Sequence, residues 1–288
     1  IGKAFDPFRR ACGRVHRDVA CGAAGAIGRQ QRLLDARLGR VVVNRAVETY
    51  RTAVVDHAQH GVELRARGGG DWPESVKRLP KAGGLYNPNP ELIVSLKPDL
   101  VLVSKYGRLY ETLERAGLTV YAVRTETYED IFKTVRTLGR LLGLPAEAER
   151  LVAQIQKEVY QEEARAAKAR SRPRVYYEID PTPYTVGPES FIGVLISKAR
   201  GVNIVPKELG LFPKISPEFV VEKDPEVIVA TYPNALETIR SRPGWSRIQA
   251  VRTGRICVYT GGEASLLSRP GPRVAQALRL LVDCFHGR

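Results

Sequence analysis

Apolar and polar positions fall into two similar helix-and-strand series separated by one long helical stretch. In the first series Asn89 caps a short helix, Pro90 takes its first position and Glu91 its first turn. Leu92, Ile93, Val94 and Leu96 supply the buried side, and Lys97-Pro98-Asp99 breaks the helix. The run Leu-Val-Leu-Val at 100–103 is continuously apolar, as in a strand covered on both faces. Residues 104–107 therefore fall at the carboxyl end of that strand, where open α/β sheets bind ligands. A helix near 109–116, a stop at Gly117, a strand ending at Val123 and a helix over 128–142 follow. That last helix carries Ile131, Val135, Leu138 and Leu142 on one face. The alternation with short connections predicts a parallel sheet.

The stretch 145–172 reads as a single helix. Pro145 suits its first turn, and Glu147 and Glu149 place negative charge at the positive end of the helix dipole. Ala148, Leu151, Val152, Ile155 and Val159 recur at helical spacing, giving the first half an apolar face. From Gln161 that face fades into a run of strong helix formers, the pattern of a helix crossing solvent, and Pro173 stops it. About 27 residues span roughly 40 Å, longer than one small domain needs. Two readings stand: a surface helix within one domain, or a spine joining two lobes.

The second series repeats the first. A strand over 174–179 precedes the loop Asp-Pro-Thr-Pro-Tyr-Thr-Val-Gly-Pro-Glu-Ser, then a helix over 191–199. Ser216-Pro217-Glu218 opens another helix with the chemistry of Asn89-Pro90-Glu91. Lys223-Asp224-Pro225 breaks it before the strand Val-Ile-Val-Ala-Thr at 227–231. The lobes thus read as pseudo-repeats. A helix over 245–251, a strand near 255–260, a loop holding Arg269 and a final amphipathic helix over 272–286 complete the chain.

Residues 1–70 give no joined pattern, even at the apolar run 40–43. They read as an atypical segment, either a disordered basic extension or a stretch translated out of frame. Reading residues 57–68 one nucleotide forward permits Pro-Asn/Ser-Thr/Met-Glu-Leu-Asn/Ser-Phe-Ala-Leu-Gly, a turn entering an amphipathic helix. The chain begins with Ile and contains no Met, which suggests a translated fragment. The expected organisation is an atypical segment 1–70, an incomplete first lobe 71–144, a spine 145–172 and a second lobe 173–288.

Composition changes this picture little. The 288 residues are 43% apolar, with no run approaching the ~20 residues of a membrane-spanning helix and no readable signal peptide. The formal net charge of +14 is compatible with nucleic acid, an anionic membrane surface or an acidic ligand. The basic residues are dispersed, without a basic helix or aromatic platform, which favours plain solvated charge. Cys12, Cys21, Cys257 and Cys284 are too few and scattered for a disulfide framework or zinc site. No His lies between Asp71 and Phe285, which argues against a metal-ion ligand set of several His.

The motifs NPNPELIVSLKPDLVLV, GLTVYAV, RPRVYYEIDPTPYTVGPESFIGVLISKARGVNIV, ISPEFVVEKDPEVIVAT, RPGWSRIQAVRTGRICVYT and RPGPRVAQALRLLV together resemble the cobalamin and iron-siderophore family of ABC-transporter substrate-binding proteins. The resemblance covers residues 71–286. DWPESVKRLPKAGG followed by NPNPE looks most like the cobalamin-binding branch. It implies two parallel-sheet, Rossmann-like α/β lobes on one rigid helix, with ligand in the cleft between them. It further implies a monomer outside the cytoplasmic membrane, periplasmic or membrane-anchored, that delivers its ligand to an ABC permease dimer with its ATPase subunits. Nucleic acid is not a partner in this reading.

By resemblance, Glu91 and Glu218 dock into arginine pockets of the permease; the alternative is two ordinary first-turn glutamates. Two departures stand out. The first strand and helix of the family are missing in the printed frame, and the usual Ala-Gly-Gly reads Ala199-Arg200-Gly201. For the cleft, Trp72, Tyr86, Tyr106, Tyr184 and Arg269 are the candidates, because flat tetrapyrrole ligands bury apolar faces on aromatic side chains. Each aromatic could instead pack under its loop, and Arg269 either is solvated or meets a ligand carboxylate or phosphate. No protein cofactor or metal site is implied. Haem with a tyrosine axial ligand and a ferric siderophore held by Arg or Lys remain alternatives to cobalamin. No P-loop, nucleophile elbow or GxGxxG turn marks an enzyme. The competing class is a two-domain α/β enzyme holding a nucleotide sugar, for which TVGPES at 185–190 is a poor phosphate loop.

Overall fold

The computed structural model describes residues 40–43, 63–67, 78, 81–83 and 87–287. Strands β1 (Arg40–Val43), β2 (Glu63–Arg67), β3 (Leu100–Ser104) and β4 (Val120–Val123) form one parallel sheet in the order β2-β1-β3-β4. Two of these strands come from the region where local pattern gives no joined reading, and β1 lies centrally, pairing Val41 with Leu100 and Val43 with Leu102. A short β-branched run is enough once a fully buried strand stands beside it. The other residues before 78 lie outside the described residues; the out-of-frame reading of 57–68 falls partly on them and partly on β2, which in the frame as it stands pairs with β1 where that reading expected a turn entering a helix.

Helix α1 (Pro90–Ser95) precedes β3, α2 (Leu109–Arg115) joins β3 to β4, and α3 (Tyr128–Leu141) follows. The Asn89 side chain accepts from the Leu92 amide at 2.9 Å. At α3, Thr127 and Asp130 form a reciprocal capping box. Ile131, Val135 and Leu138 are fully buried.

Helix α4 (Pro145–Ala166) is the spine. It stops six residues before Arg172, in a turn at Ala167 and Lys168, because Ala166 is the last buried position of its apolar face. Nor does its polar half cross solvent. Glu162, 6% exposed, accepts from Arg165 and from Arg279 at 2.7 Å each. Arg165 also reaches Asp283 at 2.5 Å. The first half of the spine packs on α3, and the second half is tied by charge to the last helix.

The second sheet repeats the first. Strands β5 (Arg174–Glu178), β6 (Val202–Asn203), β7 (Val227–Ala230) and β8 (Ile256–Val258) run parallel in the order β6-β5-β7-β8. Around them lie α5 (Phe191–Lys198), α6 (Pro217–Lys223), α7 (Ala235–Ser241), α8 (Gln249–Thr253), α9 (Gly261–Ser268) and α10 (Val274–His286). The expected helix over 245–251 is broken at Ile248 into a 3-10 turn, Trp245–Arg247, and α8. Helix α9 stands where a plain loop was expected, anchored by the buried Leu267. The echo of α1 by α6 extends to the backbone. Ser216 caps α6 through the Phe219 amide at 3.1 Å, and both helices end on a left-handed residue, Lys97 at φ 45 and Asp224 at φ 44.

Cys257 of β8 and Cys284 of α10 form a disulfide. Scattered spacing concealed it, since the 27-residue separation is closed only by the return of the final helix onto the sheet edge. Such a bond belongs to an oxidising compartment.

Candidate functional site

In each sheet the chain reverses direction of progress between the first and third strands, so ligand-binding loops are expected at the carboxyl ends there. Tyr106 follows β3 directly. It is 54% exposed, its amide bonds Ser104 Oγ at 3.2 Å, and its hydroxyl donates to Glu126 Oε1 at 2.7 Å. Arg124 holds the other oxygen of Glu126 at 2.8 Å. Burial, followed by the hydrogen bond to Glu126, pushes the Tyr106 phenol well above its usual range. Burial alone would raise Glu126, but Tyr106 and Arg124 outweigh it and hold the carboxyl below its usual range. Tyr106 is therefore a neutral donor with its ring turned to solvent.

Tyr184 lies in the loop after β5 and is 44% exposed. Its carbonyl accepts from Ile179 at 2.9 Å, and it pairs with Lys214 in an antiparallel bridge. Flanking bonds, Thr185 to Pro213 at 2.9 Å and Gly187 to Leu211 at 2.8 Å, extend this into a ribbon. That register sets Phe212 diagonally from Tyr184, within reach of an aromatic ring. Phe212 and Leu209 are both exposed. Together with Tyr184 they give the second lobe an apolar rim that sequence reasoning missed, because 205–215 has neither helical nor strand period. The signal available was the paired glycines. A Cβ on Gly187 would stand 1.9 Å from the Gly210 carbonyl oxygen, so only glycine lets the ribbon close.

Beneath this rim lies a buried carboxylate. Glu178, fully buried at the end of β5, accepts from Tyr176 Oη at 3.0 Å, from Tyr232 Oη, and from Arg242 at 2.5 and 2.9 Å. Arg242 also donates to the Pro181 carbonyl at 3.2 Å and lies over the Trp245 ring at 4.4 Å. The charge is thus paired and hydrogen-bonded, as burial requires. It ties the loop carrying Tyr184 to β7 and α7.

Arg269 is half-buried, directly after α9 rather than in an open loop, and neighbouring groups engage it. Trp72 and Tyr86 lie outside the described residues. Glu91 and Glu218 are both exposed in the first turns of α1 and α6. Crossover helices run against their strands, so both face the same ends of the sheets as the ligand loops. Among the described residues no group of three or more His, Cys, Asp and Glu is placed to hold a metal.

The TVGPES turn is closed to a phosphate. The Gly193 amide bonds Ser190 Oγ at 3.0 Å, that hydroxyl donates to the Gly187 carbonyl at 2.7 Å, and the Phe191 amide bonds the Glu126 carbonyl of the first lobe at 2.9 Å. The Ser190, Phe191 and Gly193 amides, which would help to cradle a phosphate, already have partners.

Residues 50–261 match the family described as periplasmic binding protein. The chain belongs to this family. It is 28% identical over 225 residues to an ABC transporter substrate-binding lipoprotein of Bacillus subtilis, covering 75% of this chain and 70% of that one. It is 31% identical over 253 residues to a cobalamin-binding protein of Halobacterium salinarum, covering 82% of this chain and 64% of that longer one. A possible iron-binding periplasmic solute-binding protein of Staphylococcus epidermidis superposes with a TM-score of 0.75 at 22% identity, over 86% of this chain and 99% of that one. That likeness concerns the fold. As a periplasmic binding protein the chain carries a transported ligand rather than catalysing a reaction, and it works outside the cytoplasm, in keeping with the disulfide.

Proposed function

We propose that this protein is the substrate-binding component of an ABC importer whose ligand is a corrinoid, held between the aromatic loops at the carboxyl ends of the two sheets. The observation that carries the reading is the exposed rim of Tyr184, Phe212 and Leu209, an apolar surface suited to the flat face and edge of a macrocycle. Tyr106 supports a corrinoid over a haem that it would itself ligate. An axial tyrosine serves iron as phenolate, whereas the Tyr106 hydroxyl donates to Glu126 and resists ionisation. The cobalamin-binding name of the halobacterial relative points the same way. Glu91 and Glu218 are the docking carboxylates in this reading, accepting arginine from the two permease subunits.

Calorimetric titration of cyanocobalamin, haemin and a ferric hydroxamate into the protein tests it. Sub-micromolar cyanocobalamin binding is expected. Tyr184→Ala and Phe212→Ala should each weaken it about tenfold, the scale of one aromatic contact. Tight haemin or hydroxamate binding without cyanocobalamin would reassign the ligand.

A further inference from the structure

A second feature lies at the opposite end of the second lobe from the loop of Tyr184. A cavity of about 540 Å³ opens there, lined by Arg170, Ser171, Arg255, Phe285, His286 and the disulfide-bonded Cys284. Ser171 lies before β5 and Arg255 before β8, so the cavity sits at the amino ends of the strands, away from the loop of Tyr184.

We propose that this cavity is a binding site for a phosphate group. Among the described residues two guanidinium groups and an imidazole line it, and no carboxylate does. Arg174, Arg242 and Arg279 of this lobe have acidic partners, Glu226 at 3.5 Å, Glu178 at 2.5 Å and Glu162 at 2.7 Å, whereas among the described residues Arg200, Arg240, Arg247 and Arg252 have none. Arg170 and Arg255 have none among them either, so it is the shared cavity rather than the missing partner that singles out the pair lining it. Arg255 is fixed at the wall by one bond, Nη2 to the Phe285 carbonyl at 2.7 Å, which leaves its other N–H groups to donate. His286 is oriented too. Nε2 stands 2.8 Å from the Ala199 carbonyl, an acceptor, so Nε2 carries the hydrogen. Nδ1 is buried without a hydrogen-bond partner among the described residues, so His286 contributes to the wall and the two guanidinium groups supply the donors.

A phosphate matches this charge better than a carboxylate. As free phosphate or a monoester it carries about −1.5 to −2 at pH 7, as a lipid diester about −1, and in each form it presents the oxygen spacing that guanidinium forks bind in pairs. The cavity exceeds one phosphate in volume. The group therefore arrives either as free phosphate with water or on a larger molecule such as a phospholipid.

The test uses the whole protein and is independent of cleft ligand. Inorganic phosphate is titrated calorimetrically at low chloride into wild type, Arg170→Glu and Arg255→Gln, with melting temperature measured alongside. Arg170 is exposed, so its variant should keep the wild-type melting temperature while phosphate affinity falls at least tenfold. Absence of saturable phosphate binding by wild type, or affinities within twofold in both variants, would overturn the proposal. Co-sedimentation with phosphatidylglycerol and phosphatidylcholine vesicles distinguishes the sources. Binding to the former that phosphate competes away supports a lipid headgroup, and phosphate binding without vesicle binding supports a soluble phosphate.

Discussion

Tyrosine is the residue on which the chemistry of this protein turns, and the twelve copies divide by environment. Tyr176 and Tyr177 are buried in the second sheet, Tyr232 sits over it, and burial raises all three phenols above their usual range. The Glu178 carboxylate adds to the effect at Tyr176 and Tyr232. Tyr128 and Tyr259 are pushed up to about 12, again chiefly by burial. An unfolded tyrosine ionises near pH 10. Because the folded values lie above the unfolded one, their contribution to stability is complete below about pH 10 and declines as pH rises from there through the folded values. Alkaline titration followed by tyrosinate absorbance and circular dichroism should therefore show these residues ionising together with loss of structure. Their ionisation near pH 10 with the dichroism unchanged would contradict the burial described above. Turn residues around Tyr106 and Tyr184 placed both in loops after strands but left open whether each packs under its loop; both are exposed, as is Tyr160 on the spine, which sequence alone did not single out. Nor did sequence identify Glu178, whose three partners lie 2, 54 and 64 positions away.

At the scale of elements, local period was readable and remote pairing was not. The strand at 100–103 and the face Ile131, Val135 and Leu138 are buried as their spacing required. The polar half of α4 looked solvent-crossing because Arg279, which neutralises Glu162, is 117 residues away. The same limit hid β1, whose short run has meaning only beside β3. The contact between α3 and α4 depends on one small residue. A Cβ on Gly139 would lie 2.3 Å from Ala148 Cβ and 2.9 Å from the Leu144 carbonyl oxygen. Gly139→Ala gains about 1 kcal/mol of helix propensity but overpacks the contact at a cost of about 1–3 kcal/mol. A net loss near 1 kcal/mol is expected. Ala148→Gly alone should cost about 1 kcal/mol, and in the Gly139→Ala background much less, because it removes the nearest clash. Urea unfolding of the two single variants and the double variant measures this coupling. Additivity within about 0.5 kcal/mol would refute a direct Gly139–Ala148 contact.

For the whole molecule, the pseudo-repeat places one carboxylate on each lobe, and the structure joins those lobes by more than the spine. Lys198 of α5 pairs with Glu163 of α4 at 2.8 Å and lies over the Tyr128 ring of α3 at 5.0 Å, so one side chain links both lobes to the helix between them. The Phe191 amide adds a backbone bond to Glu126 at 2.9 Å. Under the proposed docking role, Glu91 and Glu218 held on one such body engage the permease in a single register, and loss of both removes a charge-assisted contact on each side. Neither glutamate sits among the cleft candidates Tyr106, Tyr184 and Arg269. The variant Glu91→Ala/Glu218→Ala should therefore bind ligand with wild-type affinity and fail to stimulate ATP hydrolysis by the importer in reconstituted vesicles, while each single variant retains part of that stimulation. Each first-turn glutamate also meets a helix dipole, so a drop in melting temperature equivalent to about 0.3–1 kcal/mol per site is expected from that source alone. Such a drop with transport intact would leave both glutamates as helix-stabilising residues and remove them from the permease interface.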